Sequence, residues 1–304
     1  MDLGVKVRRG LEALRLLDLG PARKEFAELA KRYPSNRGYQ RVLAMTDALA
    51  TAGDDLDRLA EAHRALRQQA RGTAQQASPG NGEAEIVALA FRVMALGLAQ
   101  RVRQERGEAG QAGGLPVARF FVDAGEPAQA RACAEKALLL QGESAPLLAC
   151  LADAFSLEAD ALPAEEQGRL RAEARDLYRR ALILDPQAVD LAAVVDLEVR
   201  DLVSLAELEY EVPGEPREWL AAVGFLEGVL PIARYDEADF ARLGEVGLLG
   251  VPATSDDSRA FYHYLKVSES HPSFGSRADV LRLEARKRLK LISPTLYARY
   301  LQRF

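Results

Sequence analysis

Cysteine, histidine and tryptophan are nearly missing from this chain: two, three and one among 304 residues. Two cysteines exclude a disulfide framework, and Cys133 and Cys150 lie on apolar helical stretches where they read as small buried hydrophobes. Neither belongs to a Cys-x-x-Cys motif, and neither sits beside a basic residue and a histidine in a nucleophile setting. His63, His263 and His271 lack metal-ligand spacing such as His-Glu-x-x-His. No glycine-rich phosphate loop follows a strand. Neither a metal nor a cofactor is therefore expected. Aromatics are scarce at 7%, and runs of Val, Ile and Thr are almost absent, which removes the raw material of a sheet. The most apolar run, "AEIVALAFRVMALGLAQ", carries Arg92 and is short for a membrane span. The opening "MDLGVKVRRGLEALRLL" lacks a signal-peptide core. A soluble, cytoplasmic protein without membrane insertion is expected. The net charge of −5 gives the chain as a whole no attraction for nucleic acid.

What remains is rich in Ala, Leu, Arg and Glu, residues that lose least on entering a helix. The fold class is all-α. One helical skeleton returns along the chain. "EARDLYRRALILDP" spaces Ala174, Tyr178, Ala181 and Pro186 by four, three and five. Ala22, Phe26, Leu29 and Pro34 repeat those steps, as do Ala260, Tyr264, Val267 and Pro272. Ala130, Ala134, Ala137 and Gly142 end on glycine instead. Positions i, i+4 and i+7 share a face, so each set is a packing stripe closed by a helix stop. Gly53 and Gly125 mark turns between antiparallel helices.

These residues resemble the tetratricopeptide repeat family, whose unit is a helix pair of about 34 residues. Over 111–144, Ala118, Phe121 and Gly125 match its small, aromatic and turn positions, and Gly10 holds the small position of a unit over 3–34. The resemblance covers about half the chain, with degenerate and lengthened repeats. It implies an α-solenoid of antiparallel helix pairs with a helical C-terminal extension: helix pairs over 1–71, a flexible loop over 72–83, further pairs over 84–187, and the extension over 188–304. Within that extension we expect a long helix from Pro186 to about Tyr210, a helix bearing Trp219, one over 236–249, and two near 277–291 and 294–303. A shorter loop is expected over 106–114, and no sheet.

In that family the first helix of each pair lines a groove for a peptide or partner helix. The resemblance places Leu43, Asp47, Ala50, Arg119, Val122, Ala149, Asp153 and Ser156 on this surface. The lysine–asparagine–arginine clamp of chaperone-binding members is missing, since Val7, Leu11, Leu43 and Ala149 stand at groove positions. Charge is uneven: residues 201–257 carry thirteen acids against three bases, and 273–304 eight bases against two acids. Either the two segments neutralise one another, or Arg282, Arg286, Lys287, Arg288 and Lys290 present a basic amphipathic helix to an acidic partner. The first version is preferred, because Leu281, Leu283, Leu289, Leu291 and Ile292 also suit a core. The reading is a non-catalytic scaffold or adaptor that takes a partner peptide or helix in a concave groove. The alternative is a regulatory subunit docking its basic helix on an acidic partner, a membrane surface or nucleic acid. An enzyme of unknown class comes third.

Overall fold

The computed structural model describes residues 3–76, 82–210, 212–235, 257–269 and 276–303. The chain is all-α, with fourteen α-helices among the described residues, and it divides into two compact units, Met1–Pro163 and Ala164–Phe304. That division falls inside the block expected over 84–187.

The N-terminal unit contains α1 (Leu3–Arg15), α2 (Leu19–Arg32), α3 (Arg37–Ala52), α4 (Leu56–Gln76), α5 (Gly82–Arg106), α6 (Val117–Ala124), α7 (Pro127–Gln141) and α8 (Ala145–Asp160). Helices α1 and α2 run antiparallel, with Lys6 paired to Glu28 and Gly10 against Phe26. A Cβ at Gly10 would stand 2.7 Å from the Phe26 ring, so the small position is needed for this approach. Ala22, Phe26 and Leu29 are all buried, as the stripe predicts. Asn36 starts α3 by accepting the Gly38 and Tyr39 N–H groups, and Asp55 starts α4 by accepting those of Asp57 and Arg58.

Helix α5 changes the picture drawn from the repeats. It packs against α1, α3, α4 and α6. Glu83 at its start accepts the Arg37 N–H, and Arg101 near its end donates to the Asp54 carbonyl, so α5 runs alongside α3 in the same direction. At Gly97 a Cβ would lie 2.4 Å from the Arg15 carbonyl oxygen, so only glycine lets α5 meet the end of α1.

The loops differ from expectation in two places. Helix α4 continues to Gln76 and α5 begins at Gly82, so 72–76 and 82–83 are helical and 77–81 lie outside the described residues. The stretch expected as a plain loop over 106–114 folds into a minimal hairpin, β1 (Gln111–Ala112) with β2 (Leu115–Pro116). Gly113 and Gly114 make its turn with φ of 54° and 71°. Asp57 ties the hairpin to α4, accepting from the Gly113 N–H at 2.6 Å and from Arg106 at 2.8 Å, and these partners hold its carboxyl at about 2.

The C-terminal unit holds α9 (Gln167–Leu184), α10 (Leu197–Leu208), α11 (Leu220–Leu226), α12 (Asp257–Ser268), α13 (Ser276–Ile292) and α14 (Pro294–Gln302), with 3₁₀ turns at Leu191–Ala193 and Pro216–Trp219. The long helix expected from Pro186 to Tyr210 is broken. Asp185 takes the Gln187 and Ala188 N–H groups into a turn, and Asp196 caps a fresh start at Leu197. Ala174, Tyr178 and Ala181 are buried, as are Tyr264 and Val267. Trp219 is buried against Phe261 and donates its indole N–H to the Pro213 carbonyl at 2.8 Å. The last two helices fall where expected. The helix expected over 236–249, His271 and Pro272 lie outside the described residues.

Candidate functional site

Helix α6 is eight residues long and places Arg119 and Asp123 four apart on one face. Helix α4 does the same with His63 and Arg67. These faces meet, and the Asp123 carboxylate joins them. Its Oδ2 accepts from His63 Nε2 at 3.0 Å and from Arg67 Nε at 2.8 Å. Its Oδ1 accepts from Arg119 Nη2 at 2.9 Å. Arg119 then donates from Nη1 to Asp153 of α8 at 2.5 Å. The side chains involved are at most 6% exposed.

The cluster sets two arginines against two aspartates beside the buried His63 ring. Burial lowers the His63 pKa, against the pull of Asp123. Burial opposes charge on Asp123 too, yet Arg119 and Arg67 hold its carboxyl well below the usual range. His63 stacks on Phe91 of α5 with ring centres 4.6 Å apart, and its Nδ1 has no hydrogen-bond partner among the described residues. The cluster therefore connects α4, α6 and α8, with α5 stacked on it. Its side chains lie buried between these helices rather than on an exposed face.

This corrects the groove assignment. Arg119, Val122, Ala149, Asp153 and Ser156 are buried, not lining an exposed surface. For Arg119 and Asp153 the reason is that α4 brings His63 and Arg67 onto the face that the repeat pattern leaves to solvent. Leu43 and Asp47 are half-buried, with Asp47 bound to Arg23 at 2.6 Å, and Ala50 is exposed. The i, i+4 pair inside the apolar "VARFFVDA" was the signal for a buried ion cluster, since charges at that spacing in such a helix need interior partners.

Cys133 and Cys150 are free and buried. Burial raises both thiols, Cys150 to about 12, so neither is a thiolate at neutral pH. Among the described residues no group of His, Cys, Asp and Glu is arranged to hold a metal, and no helix is long and apolar enough to cross a membrane.

Two open surfaces stand out among the described residues. One is a groove of about 480 Å³ bordered by α1, α3 and α5. Leu3, Val7, Leu11, Tyr39 and Val93 supply its apolar lining, and Arg8, Glu12 and Arg15 its charge. Glu12 is bound to Arg15, while Arg8 is exposed. The other is the outer face of α13. Ala285 and Leu289 are buried, but Val280, Leu283 and Leu291 are 67%, 58% and 75% exposed. The expectation that Leu283 and Leu291 fill a core is thereby corrected. Arg282 pairs with Asp279, and Lys287 and Arg288 with Glu284, while Arg286 and Lys290 are exposed. Comparison with family models, curated proteins and solved structures finds no match for this chain.

Proposed function

We propose that the protein is a non-catalytic interaction module of the cytoplasm, a tetratricopeptide-type array that receives a partner helix or peptide in the groove bordered by α1, α3 and α5. The observation that carries this reading is the groove itself, an apolar lining with arginine at its edge on an otherwise acidic chain. Val7 and Leu11, the first-helix positions that lack the chaperone-tail clamp, are among its lining residues. The antiparallel α1–α2 and α2–α3 packing and the buried Ala–Phe–Leu stripe of α2 also support a repeat array. Such a groove suits an amphipathic helix whose apolar residues recur at i, i+3 or i+4 and i+7, with an acidic residue opposite Arg8. Val7→Asp combined with Leu11→Asp tests it. Both side chains are only part-buried, so the helical signal should persist while partner capture is lost. Unchanged capture by this variant would count against the groove.

A second reading rests on α13. Its outer face alternates exposed Leu and Val with Lys287 and Lys290, as expected for docking on an acidic protein surface. Binding there should weaken steeply between low and physiological salt, whereas groove binding through apolar contacts should change little.

A further inference from the structure

The N-terminal unit contains a single histidine, His63, since His263 and His271 come after residue 163. Histidine is the side chain whose ordinary pKa lies near neutrality. Carboxylates titrate near pH 4, and burial pushes the Cys133 and Cys150 thiols upward. Between pH 5.5 and 7.5, His63 is therefore the side chain of this unit that responds to acid.

Its hydrogen bonds fix the tautomer. Asp123, a carboxylate shared with Arg67 and Arg119, can only accept, so His63 Nε2 carries the ring proton. Nδ1 is then a bare lone pair, without a hydrogen-bond partner among the described residues, on a side chain that is 0% exposed. Phe91 of α5 covers one ring face, and Phe120 of α6 stands tilted with ring centres 5.6 Å apart. The charged groups that act on the ring are Arg67 from α4, with Asp123 and Arg119 from α6. Asp153 and Cys150 of α8 act on Arg119 in turn. A second proton would make Nδ1 a buried donor with nothing to receive it, and would add positive charge beside Arg67 and Arg119. Asp123 favours that charge, but burial is the larger effect.

In water the same ring takes up its proton freely, so any opening that wets it becomes more favourable as the pH falls. Helix α4 packs along α3 and α5, and it reaches Asp123 of α6 through His63 and Arg67. We infer that His63 is an acid-sensitive latch: the neutral ring holds α4 to α6 and α5, and uptake of one proton from solvent favours local release of α4. This device rests on the buried junction alone and does not depend on the partner groove. Linkage sets its size. A ring that stays unprotonated while buried and titrates near 6.5 when exposed raises the open population by at most about tenfold between pH 7.5 and 5.5.

Amide hydrogen exchange of the full chain, read by mass spectrometry at pH 7.5, 6.5 and 5.5 and corrected for the intrinsic pH dependence of exchange, tests the latch. It compares residues 56–67 of α4 with α2. Opening of α4 should rise between about threefold and tenfold over this range, while α2 changes by less than about twofold. His63→Gln should abolish the rise, because the amide can still donate to Asp123 but does not titrate in this range. Should that variant fail to fold, ring resonances of the unaltered chain give a second readout, with His63 expected to titrate below the ordinary 6.5. An equal rise in α2, a rise that persists in His63→Gln, or a His63 ring that protonates at the ordinary value with α4 closed would overturn the inference.

Discussion

Replacing Asp123 by Asn changes no volume and removes one buried charge. Both carboxylate oxygens are in use, Oδ1 toward Arg119 and Oδ2 toward Arg67 and His63. The asparagine amide can accept on one side only, and it presents N–H donors to a donor on the other. The buried cluster thereby loses one of the two carboxylates set against Arg67 and Arg119. Removing one partner of a buried ion pair costs about 3–5 kcal/mol. For a unit of this size each kcal/mol lowers the melting temperature by about 2–4 °C, so a fall of roughly 6–20 °C is expected. Thermal and urea unfolding followed by far-ultraviolet ellipticity measures it. Asp47→Asn is the matched control. Its pair with Arg23 is 2.6 Å long, close to the 2.5 Å of Arg119–Asp153, but those side chains are 43% and 64% exposed. An exposed pair contributes about 0–1 kcal/mol. If Asp123→Asn unfolds within about 1 kcal/mol of the parent, the cluster is not the structural junction described. Equal costs for the two variants would refute the argument from burial.

The other expectations follow from packing and titration. Phe26→Ala and Tyr178→Ala should each cost about 3–5 kcal/mol in urea unfolding, because both rings are essentially inaccessible. Gly10→Ala should cost about 1–3 kcal/mol, since its Cβ would press on Phe26. Leu283→Lys and Leu291→Lys should change stability by less than about 0.5 kcal/mol, because both side chains already lie in water. His63 and His263 both have folded pKa values below the ordinary 6.5, so the unfolded chain binds more protons as pH falls. Stability should therefore drop below about pH 6.5. For His263 the loss should run down to about pH 4, and His263→Gln should flatten the melting-temperature profile over that window.

The stripe of Ala22, Phe26 and Leu29 was readable in the sequence because helical periodicity is local, and a buried face shows itself within eight residues. The same holds for Ala174, Tyr178 and Ala181. Breaks set by capping were harder to see. Asp196 starts a new helix inside a stretch whose composition favours continuation, and nothing in its neighbours marks it apart from other acids. The hairpin at Gly113 depends on Asp57, more than fifty residues earlier. Arg119 and Asp153 were read as solvent-facing because their partners, His63 and Arg67, lie on a helix distant in sequence. Spacing gives the face a residue occupies but not which helix covers it. The placement of α5 beside both α1 and α3 is the same problem, and the narrow contact at Gly97 is its trace in the sequence.

A photo-crosslinking residue placed at Leu11, with a second chain carrying it at Leu283, compares the two open surfaces in the native cell. The groove reading predicts a protein adduct from Leu11 that disappears when Val7→Asp is added, identified by mass spectrometry, and none from Leu283. Adducts from Leu283 with none from Leu11 would contradict it and assign the docking surface to α13.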